Sequence, residues 1–244
     1  LIVCPSDHLI TNEDKYLQNL ATALKATEKE DALFTIGIKP TRPDTGYGYI
    51  RYNAEDKKAY KKVKTFTEKP NLELAKAFLE SGDYVWNAGI FVWSATSIIK
   101  AFTELLPEEA EIFSEGIFHY NTATEQDYIN DVYEKCLNIS IDYGIMEKAN
   151  NVYTILSDFT WSDLGTWNSI YDQRDKQDNE NVIDGNVLVY NVKNSIIRSS
   201  EDKLIVVDGL DDFIVVDHEN VLMICPKSEE QKVKKFVSDV KSKK

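Results

Sequence analysis

A small set of polar side chains stands where the neighbouring residues are mostly apolar. Asp7 follows the apolar run Leu1–Cys4 in "LIVCPSDH", and Asp163 lies among large apolar groups in "WSDLGTW". Two aspartates at strand ends can share one magnesium ion, which takes hard oxygen ligands and completes its octahedron with phosphate oxygens. Glu68 and Lys69 are adjacent in "FTEKP". There a carboxylate can accept hydrogen bonds from sugar hydroxyls while an ammonium meets a phosphate. Asn87 interrupts "VWNAGIFVW", where a buried amide needs partners and offers a polyhydroxyl ligand both a donor and an acceptor. Gly46 and Gly48 flank Tyr47 in "TGYGYI", and a missing Cβ lets backbone approach a sugar. Each has an ordinary reading as well. Asp7 suits a turn or a helix cap, Glu68–Lys69 a solvated strand end, Asn87 a backbone cross-link, and the glycines a turn. Taken singly, these features leave both readings open.

The elements that must position them follow from apolar periodicity. The opening run reads as a buried strand that stops at Pro5, and "TNEDKYLQNLATALKATEKED" as a helix capped by Thr11 or Asn12 with Leu17, Leu20 and Leu24 on one stripe. With the strand "ALFTIGIKP" they make a βαβ unit, which implies a parallel sheet. "YIRYN" and "VKTFTEKP" pair as strands, while "NLELAKAFLESGD" is a helix with Leu72, Ala75, Phe78 and Leu79 inward and Gly82 near its end. "YVWNAGIFVWSA" is strand-like, and helices fill "SIIKAFTELL" and "EQDYINDVYEKC", with another beginning in "SIDYGIMEKA". The tryptophans Trp86, Trp93, Trp161 and Trp167 are assigned to the core. Past Lys176, short apolar runs separated by Gly, Asn and Asp describe an all-β segment with a hairpin turn at His218–Asn220, and a capped amphipathic helix follows. Two domains are expected, 1–175 and 176–244.

Composition narrows the classes. A net charge of −13 over 244 residues argues against a nucleic-acid backbone as partner, since phosphate contacts need clustered Lys and Arg. One small phosphorylated ligand is still compatible, because a divalent cation reconciles carboxylates with phosphates. Cys4 and Cys225 sit in apolar runs and read as small core residues; with Cys136 they form no CxxC pair, and His8, His119 and His218 are scattered, so zinc is not expected. A reducing, cytoplasmic setting fits. The opening run is too short and wrongly flanked for a signal peptide or a membrane span.

In order along the chain, "PSDH", "TGYGYI", "FTEKP", "WNAGIFVW", "SIDYGIMEKA" and "WSDLGTWNSIYDQ" resemble the motifs of the mannose-1-phosphate guanylyltransferases, or GDP-mannose pyrophosphorylases. The resemblance extends into the β-rich tail. It implies an α/β fold: an incomplete Rossmann-like nucleotidyltransferase sheet of the glycosyltransferase-A-like kind, with a small C-terminal β-rich segment and a terminal helix. It also implies synthesis of GDP-mannose and pyrophosphate from GTP and α-D-mannose 1-phosphate, with Mg2+ as cofactor. By matching motif positions, Asp7 and Asp163 would be catalytic and hold the metal. Gly46, Gly48, Glu68, Lys69, Asn87 and Asp142 would bind the sugar phosphate. Two departures stand out: "PSDH" has Ser where the family usually shows Ala, and the family's Gly-rich nucleotide loop, with its Arg and Lys, precedes the strand at which this chain starts. An N-terminally truncated, inactive piece of such an enzyme is therefore expected, with "LIVC" a strand left bare. A homodimer through the C-terminal segment is a further expectation. The alternatives are a non-catalytic regulatory homologue that binds GDP-mannose, and a nucleotidyltransferase for another sugar 1-phosphate.

Overall fold

The computed structural model describes residues 1–157, 159–200 and 203–243. They group into two compact units, one of Leu1–Ser6 and Ile10–Trp161, the other of Asp7–Leu9 and Ser162–Lys244.

Up to its central strand the chain runs β1 (Ile2–Val3), β2 (Leu9–Ile10), α1 (Glu13–Thr27), β3 (Leu33–Ile38), β4 (Tyr49–Tyr52), β5 (Lys61–Thr67), α2 (Leu72–Ser81) and β6 (Tyr84–Trp93). Then come α3 (Ala95–Leu105), α4 (Pro107–Glu115), α5 (Glu125–Tyr133), a π-helical turn at Asp142–Met146, β7 (Val152–Leu156) and β8 (Trp161–Ser162). The main sheet has the order β1-β6-β3-β7-β5-β4, and β4 also returns to pair with β6. β6 is therefore the hub, hydrogen-bonded to β1, β3 and β4, and nine-tenths apolar or glycine along its length because almost every position is buried on one face or the other.

The two faces sort by the strand period of two. Phe34, Ile36 and Ile38 of β3 join Trp86, Ala88, Ile90 and Val92 of β6 under α1, which contributes Leu20, Ala23 and Ala26. Leu33, Val85, Phe91 and Trp93 lie in the other cluster with Ile98 and Ala101 of α3 and with Ile145 and Met146 of the π-turn. The β3–β6 register shifts between Thr35 and Gly37, and Gly89 there adopts φ 68°, a conformation that costs glycine nothing.

Several sequence expectations are corrected. Cys4 is exposed, not a core residue, and the opening run is an exposed edge strand, bare as the family resemblance implies and not buried as its apolar run suggests, because β1 ends the sheet and, among the described residues, pairs with β6 alone. β1 and β3 run in the same direction but are not neighbours: β6 lies between them, antiparallel to both, so the sheet is mixed. Leu17 is 58 % exposed and Leu72 is 46 % exposed, since the buried stripes pass through Leu20 and Ala23 on α1 and through Ala75, inward as expected, on α2. "SIDYGIMEKA" makes only the π-turn. The helix caps at Asn12 and the left-handed Gly82 are as the sequence indicates.

In the second unit, α6 (Trp167–Gln173) precedes β9 (Val182–Asp184), β10 (Val187–Tyr190), β11 (Ile196–Arg198), β12 (Ile205–Asp208), β13 (Phe213–His218), β14 (Val221–Pro226) and α7 (Val233–Lys241). β9, β11 and β13 stack in parallel, aligning Val182, Ile196 and Ile214, while β10 and β12 stack in parallel on another side. These are the coils of a β-helix, an arrangement that strand-sized apolar runs alone do not announce. The β13–β14 hairpin turns at Glu219 as expected. α7 is preceded by a 3-10 turn and has no side-chain cap. Asn181, fully buried, locks the first coil: its Nδ2 donates to Asp178 O at 2.9 Å and Val192 O at 2.8 Å, and its Oδ1 accepts from Ser195 N at 3.1 Å. Asn181→Ala strands these groups and is expected to cost about 3 kcal/mol in urea denaturation. A loss under about 1 kcal/mol would show that water satisfies them.

Candidate functional site

Strand alternation puts Asn87 on the same face of the sheet as Val85 and Thr35, pointing toward the π-turn that carries Asp142. Thr35 Oγ1 donates to Asn87 Oδ1 at 2.6 Å, Gly89 N donates to the same oxygen at 3.2 Å, and Asn87 Nδ2 donates to Asp142 Oδ1 at 2.9 Å. The β6 bulge is what turns the Gly89 N–H toward the side chain. From the other side of β6, Asn87 N donates to Gly48 O at 2.8 Å. A Cβ on Gly48 would overlap Glu68 Oε2 and lie 3.2 Å from Asn87 Cβ, so glycine is what lets these groups converge.

Glu68 follows the last residue of β5. On a regular strand Glu68 and Lys69 would face apart, but Lys69 has φ 46°, and this bend before Pro70 brings its Nζ to 3.0 Å from Glu68 Oε1. Glu68 N donates to Glu147 Oε1 at 2.7 Å, and Tyr143 OH donates to Glu68 O at 3.4 Å. The Glu68 side chain is only 6 % exposed, and its Oε2 is buried without a partner among the described residues. Burial, the nearby Asp142 charge and Glu147 push the Glu68 carboxyl up against the pull of Lys69. Burial likewise raises the Asp142 carboxyl, against the Asn87 hydrogen bond. The Glu68 hydrogen bond raises the Lys69 ammonium. The result is a cluster with a free carboxylate oxygen, an oriented amide and a half-exposed ammonium, which together suit an anion bearing several hydroxyls.

Glu68, Lys69, Asn87, Asp142 and Gly48 are thus brought together. Gly46 is not among them: its N–H donates to Asp44 Oδ1 at 2.8 Å, in a turn where buried Asp44 pairs with Arg42 at 2.9 Å and its carbonyl accepts from Tyr49 OH at 3.0 Å. Asp7 and Asp163 both belong to the second unit. β2 and β8 pair, and Thr11 N donates to Thr160 O beyond one end of that pair, so Asp7 and Asp163 flank its opposite end. Asp7 is exposed, while Asp163 is half-buried and its Oδ1 accepts from Gly165 N at 3.0 Å. A Cβ at Gly165 would lie 2.6 Å from Asp163 Oδ2. Among the described residues no three His, Cys, Asp or Glu side chains gather as a metal cage. Thr35, Tyr143 and Glu147 are the cluster members that sequence reading missed; only Thr35, polar within "LFTIGI", carries a signal.

The model of the nucleotidyl transferase family matches residues 1–180. The chain belongs to that family. Residues 185–240 match the mannose-phosphate isomerase/GMP-like β-helix domain, in keeping with the parallel coils. A mannose-1-phosphate guanylyltransferase of Sinorhizobium fredii is 37 % identical over 92 % of this chain and 44 % of its own length. One of Salmonella montevideo is 36 % identical over 99 % of this chain and 52 % of its own length. The chain thus spans about half the length of these curated relatives. A crystal structure from Thermus thermophilus, described as a mannose-1-phosphate geranyltransferase, superposes with a TM-score of 0.80 at 29 % identity, over 99 % of this chain and 69 % of that one. The chain therefore has the family's mixed α/β fold, with a β-rich C-terminal segment and a terminal helix.

The raised Glu68 carboxyl makes stability depend on pH. A group whose value is raised by folding stabilises fully at acid pH, and that contribution is lost as pH rises through the raised value. Glu68→Gln keeps the shape and removes the charge. It is expected to be more stable than the parent at pH 7 and to match it at about pH 4, where the parent carboxyl is protonated. Urea denaturation at both values checks this, and a Gln variant less stable at pH 7 would show that the Lys69 pair outweighs burial.

Proposed function

We propose that the full-length protein forms GDP-mannose and pyrophosphate from GTP and α-D-mannose 1-phosphate, and that residues 1–244 do not turn over alone. The observation that carries this reading is the buried, unpartnered Glu68 oxygen beside the oriented Asn87 amide and Lys69, in a chain whose relatives bear the guanylyltransferase name. Glu68 and Asp142 would accept hydrogen bonds from sugar hydroxyls, Asn87 would donate one, and Lys69 would hold the phosphate. Gly48 leaves the room these contacts need.

The reaction joins a sugar-phosphate oxygen to the α-phosphorus of GTP as the bond to pyrophosphate breaks. No covalent enzyme intermediate is needed, so the protein's part is to align the two phosphates and balance their charge. Two aspartates flanking one end of a strand pair are a hard-oxygen donor set that fits magnesium, provided water and substrate phosphates fill the remaining positions. Asp7 and Asp163 would hold that ion, which when bound offsets the negative charge of the phosphates. Gly165 keeps space beside the Asp163 carboxylate. With a net charge of −13 on the chain, such a cation would reconcile its carboxylates with the substrate phosphates.

We place the protein in the cytoplasm, a reading supported by three free cysteines. We also assign a homodimer through the C-terminal segment, supported by exposed Leu222 and Ile224 on β14, the edge of its sheet.

Pyrophosphate release by the full-length protein tests the proposal. Asn87→Ala is expected to raise KM for mannose 1-phosphate about tenfold or more, and Asp163→Asn to lower kcat at least about 100-fold. Glucose 1-phosphate outcompeting mannose 1-phosphate would refute the sugar assignment, and turnover unaffected by Asp163→Asn would refute the metal role.

A further inference from the structure

We infer that Thr35 is a positioning residue for the sugar-phosphate site: its hydroxyl anchors the Asn87 amide in the orientation that the Gly89 N–H selects. The inference rests on the reading that this cluster binds a sugar 1-phosphate. Thr35 is fully buried in β3, whose other residues are apolar or glycine. Valine has the same shape, suits a strand as well and carries no polar atom to desolvate, so a threonine here is a net cost unless its hydroxyl is used. Among the described residues it is used in the 2.6 Å hydrogen bond to Asn87 Oδ1.

The amide is held from two directions. Gly89 N–H can only donate, so the atom facing it must be the carbonyl oxygen, and Nδ2 must then face Asp142. One Nδ2 hydrogen goes to Asp142, which leaves the second for a ligand oxygen. The Gly89 contact is the long one, at 3.2 Å, while Thr35 supplies the short one. Without the Thr35 hydroxyl, the oxygen has only the weaker tie, and the amide is free to swing away from Asp142. The donor that the ligand needs then loses its fixed direction, and the Asp142 carboxylate loses its partner.

A neighbouring residue provides the contrast. Thr154 of β7 is the register partner of Thr35 and equally inaccessible, yet its hydroxyl has no hydrogen-bond partner among the described residues and no tie to Asn87. Residue type, burial and sheet are shared, so any difference between the two threonines reports the link to the amide rather than the loss of a buried hydroxyl.

The test is calorimetric titration of mannose 1-phosphate into the full-length parent protein and into its Thr35→Val, Thr35→Ser, Thr154→Val and Asn87→Ala variants, alongside steady-state kinetics of the same proteins. Thr35→Val is expected to raise Kd and KM for mannose 1-phosphate about tenfold, the effect of one lost buried hydrogen bond. KM for GTP should stay unchanged. Thr35→Ser should restore binding, and Thr154→Val should bind as the parent does. If Thr35→Val binds like the parent while Asn87→Ala does not, the positioning role is overturned and the functional reading stands. If Thr154→Val weakens binding as much as Thr35→Val, the effect is general packing and the positioning role is likewise overturned. If the parent itself does not bind mannose 1-phosphate, or Asn87→Ala changes nothing, the functional reading fails and takes the inference with it. Should Thr35→Val not fold, Thr35→Ala removes the same hydroxyl and is read by the same outcomes.

Discussion

An amide buried in a load-sharing strand is the constraint on which the site depends. β6 is hydrogen-bonded to three other strands and covered on both faces, so a polar side chain at its middle is tolerable only with every hydrogen-bonding atom engaged. Asn87 meets that demand through Thr35, Gly89 and Asp142, which come from β3, a bulge in β6 and the π-turn. The same bonds that make the amide tolerable also aim it. Rigidity of the sheet is thereby passed directly to the proposed binding group, which no exposed loop could hold as closely.

The second feature is charge kept where burial disfavours it. Glu68 and Asp142 are both pushed toward their protonated forms, and Glu68 has an oxygen with no partner among the described residues. A buried acceptor without a donor costs stability, and so does a lysine bent into the left-handed region beside it. Such local cost gathered around a single cluster is what binding sites show, because a ligand recovers it on arrival. Lys69 limits the cost in the meantime by standing 3.0 Å from the other oxygen.

The β-helix unit follows a different logic. Its parallel strands are three to six residues long and pair with strands of neighbouring coils, so each coil is stable only against the next. Asn181 supplies inside the first coil the hydrogen bonds that an ordinary ladder would have supplied along its edge.

Much of this was legible from residue order. Apolar period, caps and turn residues located α1, β3, β4, β5, α2, β6 and the β13–β14 hairpin, because these depend on neighbours within a few positions. The site residues Glu68, Lys69, Asn87 and Asp142 were legible as a motif series, and the apolar setting of Asn87 already demanded partners. What tertiary structure decided is who those partners are. That β6 separates β1 from β3, that Leu17 faces outward, and that the short C-terminal strands stack in parallel all depend on contacts between residues far apart in the chain. Thr35 and Glu147 belong to the same class. Their chemistry is ordinary in sequence, and only the folding of β3 and the π-turn against β6 and β5 gives a threonine an amide to orient and a glutamate a backbone N–H to hold.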